Sequence, residues 1–173
     1  MDLNHKLTVK EIESEADIQD IACLANEIWH EYFPFILSEE QINYMVDKFQ
    51  SYSAMKNQIE QEKYHYYKIL LEDRLIGYFA VREDREDNAL FLSKLYIHKS
   101  YRGKGYGTDV FVFLKEYCIN KNLKKIWLTV NRYNESTIHA YLKRGFIKTD
   151  TRVQDIGNGY VMDDYIMEWT AEA

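Results

Sequence analysis

"LFLSKLYIHKSYRGKGYG" (residues 90–107) runs from an apolar stretch that reads as a strand into three glycines at alternate positions, and a helical pattern starts directly after them. Glycine so dense between a strand and a helix has few uses. It makes a tight turn, it cradles a nucleotide, or it brings backbone amides up to some other anion. A dinucleotide-binding turn would place G-x-G-x-x-G after the first strand, with an acidic residue about twenty positions on. Here the spacing is G-x-G-x-G, and it follows the fourth strand. A phosphate-binding loop of the Walker kind needs Gly-Lys followed by Ser or Thr after a longer gap, which "GKGYGT" (103–108) does not supply.

What remains is a short loop whose successive N–H groups point into the start of a helix beginning near Tyr106. Such a nest, with the positive end of the helix dipole behind it, suits a pyrophosphate. Glycine lets the backbone approach without side-chain obstruction, and Arg102 and Lys104 add positive charge. A plain turn that uses glycine only for its dihedrals explains the loop equally well when it is read alone.

The chain has 173 residues, 46 % hydrophobic and 29 % charged, an ordinary soluble balance that fits a single domain over residues 1–173. Its net charge of −6 speaks against a nucleic-acid partner and suits a cationic small molecule. Cys23 and Cys118 lie in apolar helical patterns and read as packing residues, not a disulfide or metal pair. No signal peptide, lipidation motif or membrane-length apolar run is evident, so the expected compartment is the cytoplasm.

The periodicity predicts a first strand at "KLTVKEI" (6–12). A helix carries Ile18, Ile21, Ala25, Ile28 and Trp29 and ends near Pro34, and a second helical region opens at "SEEQ" (38–41). Strands follow at "HYYKILL" (65–71) and "LIGYFAV" (75–81), then a charged loop at 82–88 and the strand 89–97. After the glycines come a helix with Val110, Phe111, Leu114 and Cys118, a strand "KIWLTV" (125–130), and a helix "NESTIHAYLKR" (134–144). Asn134 stands at its N-cap and Gly145 at its end. "FIKTD" (146–150) and "YVMDDYIMEW" (160–169) close the chain as strands. This order predicts an α/β (α+β) fold, a central mixed, largely antiparallel twisted sheet of about seven strands flanked by helices.

Arg102-Gly103-Lys104-Gly105-Tyr106-Gly107, followed by Asn134, Tyr141, Gly145 and Phe146, resembles the signature pair of the acetyl-CoA-dependent GNAT superfamily of N-acetyltransferases. The resemblance implies the GNAT acyl-CoA N-acyltransferase fold and acetyl-CoA as acetyl donor. It places the pyrophosphate on the amides of 103–108, Thr108 included. The pantetheine arm would lie along Leu95, Tyr96 and Ile97, where two parallel strands splay. It gives Asn134 a side-chain contact to the donor and brings Lys143 toward the ribose phosphate.

Tyr141 is the expected general acid, because a phenol keeps its proton at neutral pH and a leaving thiolate can accept it. It also shares a helical face with Ile138 and Leu142, a position that packing alone would explain. Some members of the superfamily carry a glutamate base on the fourth strand. This chain has Ser93-Lys94 there, which leaves Glu31, His30, Asp163, Asp164 or ordered water for that task. Glu31 and Tyr32 border the segment expected to receive the acceptor, and "YFPFILSEEQ" (32–41) mixes aromatics with carboxylates, as amine binding favours. The layout resembles diamine and polyamine acetyltransferases, with a homodimer implied and no metal. A protein N-terminus or lysine as acceptor, or an acetyl-CoA sensor without turnover, are the other readings.

Overall fold

The structure is a computed structural model that describes residues 7–172. It contains seven strands and five helices: β1 (Leu7–Glu11), α1 (Glu15–Tyr32), α2 (Glu39–Phe49), α3 (Tyr52–Gln61), β2 (His65–Leu71), β3 (Arg74–Asp84), β4 (Ala89–Ile97), α4 (Tyr106–Lys121), β5 (Lys125–Asn131), α5 (Glu135–Lys143), β6 (Ile147–Gly157) and β7 (Tyr160–Thr170). The strands hydrogen-bond in the order β1-β2-β3-β4-β5-β7-β6, the mixed and largely antiparallel sheet that the sequence predicts. Two compact units share it. One takes residues up to Arg82 with Lys94–Leu114, and the other takes Glu83–Ser93 with residues from Lys115 onward.

In the first unit, Ile18, Ile21 and Ala25 of α1 pack with Met55 of α3 on Tyr66, Tyr78 and Ala80 of the sheet. The α3 helix departs from the expectation of one helical region before β2. Phe49 ends α2, and Ser51 then caps a new helix by accepting the Ala54 N–H at 3.2 Å. Ser51 with Met55 and Ile59 at helical spacing is the signal that marks it. The turn between β2 and β3 puts Glu72 and Asp73 at positive φ (49° and 66°), the geometry of a two-residue hairpin turn that follows strand twist.

The fixed point of this unit is a close backbone approach. Ile69 faces Gly77 while Leu70 faces Leu75, so Ile76 is an extra residue bulged out of β3. Its carbonyl accepts the N–H of His98, the first residue past β4, at 2.8 Å. A Cβ on Gly77 would stand 2.5 Å from the Tyr96 carbonyl oxygen and 3.2 Å from the Ile97 Cα. Trp29, Phe33 and Tyr78 surround the ring of Tyr96, with centroids at 5.8, 6.3 and 5.5 Å.

In the second unit β5 pairs antiparallel with β7 along its whole length, from Lys125↔Thr170 to Asn131↔Asp164. The parallel pairing of β4 with β5 covers Ala89↔Lys125, Leu90↔Ile126 and Phe91↔Trp127, all at the start of both strands. Phe91 stacks on Trp127 at 4.0 Å, and the Trp127 indole donates to Asp84 at 2.9 Å. β6 runs to Gly157, well past the expected 150. Its added residues are exposed and polar except Val153 and Ile156, and so carry little hydrophobic signal. They pair with β7 through a turn at Asn158-Gly159, both at positive φ.

Gly77→Ala forces the β3 or β4 backbone to move, because the atoms in the way are main-chain atoms. The expected loss is about 1–3 kcal/mol, as for overpacked cores. Thermal unfolding read beside catalytic rate checks this: a lower Tm with slower turnover is expected, and an unchanged Tm would show that the strands yield there.

Candidate active site

Past β4 the chain makes one 3-10 turn at Lys99–Tyr101 that uses its own amides. Ser100 N–H donates to His98 Nδ1, Tyr101 N–H to the His98 carbonyl, and Arg102 N–H to the Lys99 carbonyl. The next three are different. Among the described residues, the N–H groups of Gly103, Lys104 and Gly105 donate to no backbone carbonyl, and Thr108 N–H turns back to Gly105. Gly103 and Gly105 sit at φ +74° and +86°, and a Cβ at either would meet nothing within 4 Å. Glycine is therefore needed here for left-handed backbone and not for packing. The space over both residues is open, and α4 begins at Tyr106 behind them. Alternating left-handed residues with spare amides at a helix start form an anion nest. Lys104 is exposed, its ammonium 5.9 Å from the Tyr101 ring.

Arg102 is held by its surroundings. Its Nε donates to the Ile97 carbonyl at 2.8 Å, its two Nη groups reach the Glu31 carboxylate at 3.2 and 2.7 Å, and its guanidinium stacks 4.9 Å over the Tyr32 ring. Two residues expected to serve the donor and the acceptor separately are thus paired with each other. The hydrogen bonds from Arg102 hold the Glu31 carboxyl below the usual carboxylate range. The link fastens the end of α1 to the end of β4. His30 bonds Asn26 and Asn43, and His98 meets Glu27 at 2.9 Å. No cluster of His, Cys, Asp or Glu with metal-binding geometry occurs among the described residues.

The second unit holds the other expected residues. Asn134 occupies the N-cap position of α5 and is 8 % exposed, but its side chain makes no capping bond to the first turn. Tyr141 is half-buried with its ring 5.5 Å from Phe146, and its carbonyl takes the N–H groups of Arg144 and Phe146. Gly145 ends the helix at φ +90° against Trp169, the left-handed residue anticipated there. Lys143 is exposed. Asp163 and Arg132 approach to 2.8 Å without hydrogen-bond alignment, while Asp164 is buried and pushed up to about 6 by desolvation first and by Asp163 second.

A profile of the Acetyltransferase (GNAT) family matches residues 23–146, which hold both the glycine loop and the helix of Tyr141. The chain belongs to this family. It is an enzyme, an N-acetyltransferase with acetyl-CoA as acetyl donor. An uncharacterised N-acetyltransferase of Lactobacillus delbrueckii subsp. lactis is 22 % identical over 151 residues, 84 % of this chain and 87 % of the relative. The fold is that of the PaiA N-acetyltransferase of Thermoplasma acidophilum, solved in complex with coenzyme A (TM-score 0.80, 22 % identity, 96 % and 99 % of the two chains). It is also that of a spermidine N-acetyltransferase chimera of SpeG from Vibrio cholerae and hSSAT (TM-score 0.70, 21 % identity, 95 % of each chain).

A lysine stands buried in the middle of β4. Lys94 is 6 % exposed, and its ammonium donates to the Phe49 carbonyl at the end of α2, to Gln58 of α3 at 3.1 Å and to the Tyr66 hydroxyl of β2 at 2.6 Å. All three of its protons have acceptors, and a positive charge suits the C-terminal end of a helix. Sequence reading registered only the missing carboxylate at this position, because burial is invisible in a lone lysine.

Burial pushes Lys94 down to about 7, with Glu62 pulling weakly the other way. Its folded form therefore binds fewer protons than the unfolded chain above pH 7, and stability rises with pH from about 7 toward 9. Above that range Cys118, pushed up to about 11 by burial, acts in the opposite direction. The expected slope is up to about 1 kcal/mol per pH unit. Urea unfolding at pH 7, 8 and 9 should show the rise in the wild type and a flat line in Lys94→Met.

Proposed function

We propose that this GNAT enzyme transfers the acetyl group of acetyl-CoA to the primary amine of a small cationic acceptor, by direct attack in a ternary complex. The observation that carries the donor half is the loop at Gly103–Gly105, with three unengaged amides and open space over two left-handed glycines. A pyrophosphate there meets N–H groups and the start of α4 together, and Gly107 and Thr108 continue the amide row. Leu95, Tyr96 and Ile97 are the backbone for the pantetheine arm. The N–H of Ile97 is the donor for the oxyanion that forms as the thioester is attacked.

The acceptor half rests on the segment after α1. Phe35 is fully exposed, Glu39 and Glu40 are exposed at the start of α2, and Tyr32 and Tyr44 flank them in sequence. Aromatic faces and carboxylates together favour a cation on an alkyl chain. The Glu31 charge is balanced by Arg102, so Glu31 and Tyr32 shape this segment while Glu39 and Glu40 supply its net charge. The shared fold of a spermidine N-acetyltransferase supports the same acceptor class. An amine of lysine-like pKa costs roughly 4–5 kcal/mol to neutralise at pH 7, so part of the catalysis is proton removal. Tyr141 then protonates the leaving thiolate.

The test is thiol release from acetyl-CoA with polyamines, simple diamines, amino acids and short peptides, beside Tyr141→Phe. Turnover confined to the small amines, and reduced at least tenfold in Tyr141→Phe with an unchanged fold, is the expected result. Turnover of peptides alone would move the acceptor to a polypeptide, and tight acetyl-CoA binding without any thiol release would leave a sensor.

The proposed assembly is a homodimer. β6 ends the strand order, is exposed along nearly its whole length, and presents Ile147 and Val153 at 63 % and 69 % exposure. A long bare edge with apolar side chains is a ready surface for a second chain. Light scattering should give twice the chain mass, and Val153→Lys should shift it toward one chain.

A further inference from the structure

Between β4 and the glycine loop the chain passes through a histidine that is bonded at every polar group. The His98 N–H donates to the Ile76 carbonyl of β3 at 2.8 Å, and the His98 carbonyl takes the Tyr101 N–H at 2.9 Å. Its ring is held at both nitrogens. Nδ1 lies 3.2 Å from the Ser100 backbone nitrogen, and Nε2 lies 2.9 Å from the Glu27 carboxylate of α1. A backbone N–H can only donate and a carboxylate can only accept. These partners therefore fix one neutral tautomer, with the proton on Nε2 and a lone pair on Nδ1. The ring also meets that of Tyr101 edge to face, centroids 6.1 Å apart, and the Tyr101 hydroxyl accepts from Arg74 of β3 at 3.0 Å.

The ring supplies an acceptor that the turn at Lys99–Tyr101 lacks. In a 3-10 turn each N–H looks to the carbonyl three residues back. For Ser100 that is the Ile97 carbonyl, and Arg102 Nε already occupies it at 2.8 Å. His98 Nδ1 takes the Ser100 N–H instead, as an Asn or Asp side chain does for the N–H two residues on. Both ends of the turn are then clamped on α1 by carboxylates one helical turn apart, His98 on Glu27 and Arg102 on Glu31. Directly beyond Arg102 come Gly103, Lys104 and Gly105, whose N–H groups meet no backbone carbonyl among the described residues.

We propose that His98 is the positioning residue of the donor loop: its Nδ1 lone pair holds the turn that sets the direction of the amides of residues 103–105, and donor affinity depends on that direction. This rests on the reading of the loop as the seat of the donor's pyrophosphate given above. A hydrogen bond weakens steeply as its N–H turns away from the acceptor, so aim decides what spare amides are worth to an anion. Gly103 and Gly105 cannot hold that aim alone. Glycine is the most permissive of residues, and the space above both is open. Their orientation is inherited from the turn before them and from α4 after them. The opposite tautomer would set the Nδ1 proton against the Ser100 N–H, and Glu27 opposes it by accepting the proton at Nε2. His98 thus acts on the donor through the backbone, without touching it.

The experiment measures coenzyme A binding by titration calorimetry in wild type, His98→Gln, His98→Asn and Gly105→Ala, with the Tm of each. Glutamine can still reach Glu27 but leaves the Ser100 N–H without its acceptor, whereas asparagine returns an oxygen to the place of Nδ1 and gives up Glu27. His98→Gln should raise the Kd about fivefold or more, the weight of one hydrogen bond, and His98→Asn should recover most of that loss. With any amine the enzyme acetylates, the loss in His98→Gln should fall on the acetyl-CoA KM, with kcat within about twofold of wild type. Wild-type affinity in His98→Gln beside a weakened Gly105→Ala overturns the role of His98 and leaves the loop as the donor seat. Losses in His98→Asn as large as in His98→Gln, in step with Tm, overturn it in favour of packing. Wild-type affinity in Gly105→Ala, whose side chain is strained at φ +86°, overturns the reading of the loop and the proposal with it.

Discussion

Gly77 lies so near Tyr96 and Ile97 that no side-chain carbon fits between the two backbones, and the rest of the first unit depends on that contact. A strand can offer its peptide groups to a ligand only if its own position is fixed by other means. The bulge at Ile76 turns one carbonyl to the His98 N–H, the rings of Trp29, Phe33 and Tyr78 enclose Tyr96, and Arg102 binds the Ile97 carbonyl. The end of β4 is thereby held by neighbours on its own unit, while three amides of the following loop stay unspent. Rigid support beside unsatisfied donors is the arrangement that anion binding requires.

Arg102 illustrates how charge is used in this enzyme. An arginine beside a phosphate loop invites the reading of a phosphate ligand, yet its fork is filled by Glu31, by a carbonyl and by an aromatic face. The pair is about one-third exposed on each side, so its contribution to stability is small and screened. Its geometry matters more. Two N–H···O contacts fix direction as well as distance, and so hold the end of α1 against the end of β4. The positive potential at this loop then comes from the amides, the α4 dipole and the exposed Lys104.

Much of this was legible beforehand, and the gaps have physical causes. The glycine loop, the helix of Tyr141 and the antiparallel-then-parallel strand order follow from local pattern, because turn chemistry and periodicity are local properties. The α3 helix was missed because its apolar positions are few, Met55 being its single buried residue. The second half of β6 was missed because an exposed edge strand has no buried face to print an alternation. The Glu31–Arg102 pair joins residues 71 positions apart, and spacing contains no trace of it. Asp163 and Asp164 are adjacent in sequence, and the β5–β7 register that sends them to opposite faces is not a local property.

Lys94 and Asp164 set the two ends of one tension. Both are charges removed from water, and both titrate away from their ordinary values because burial favours the neutral form. Lys94 has its three protons met by three acceptors, so its charge is compensated and its work is to join α2, α3 and β2 to β4. Asp164 is pushed up by burial and by Asp163, and Arg152 of β6 acts against the shift. A buried lysine with full hydrogen bonding is intelligible as architecture. An acceptor for every proton, more than the size of the pKa shift, is what lets a buried charge act as a brace.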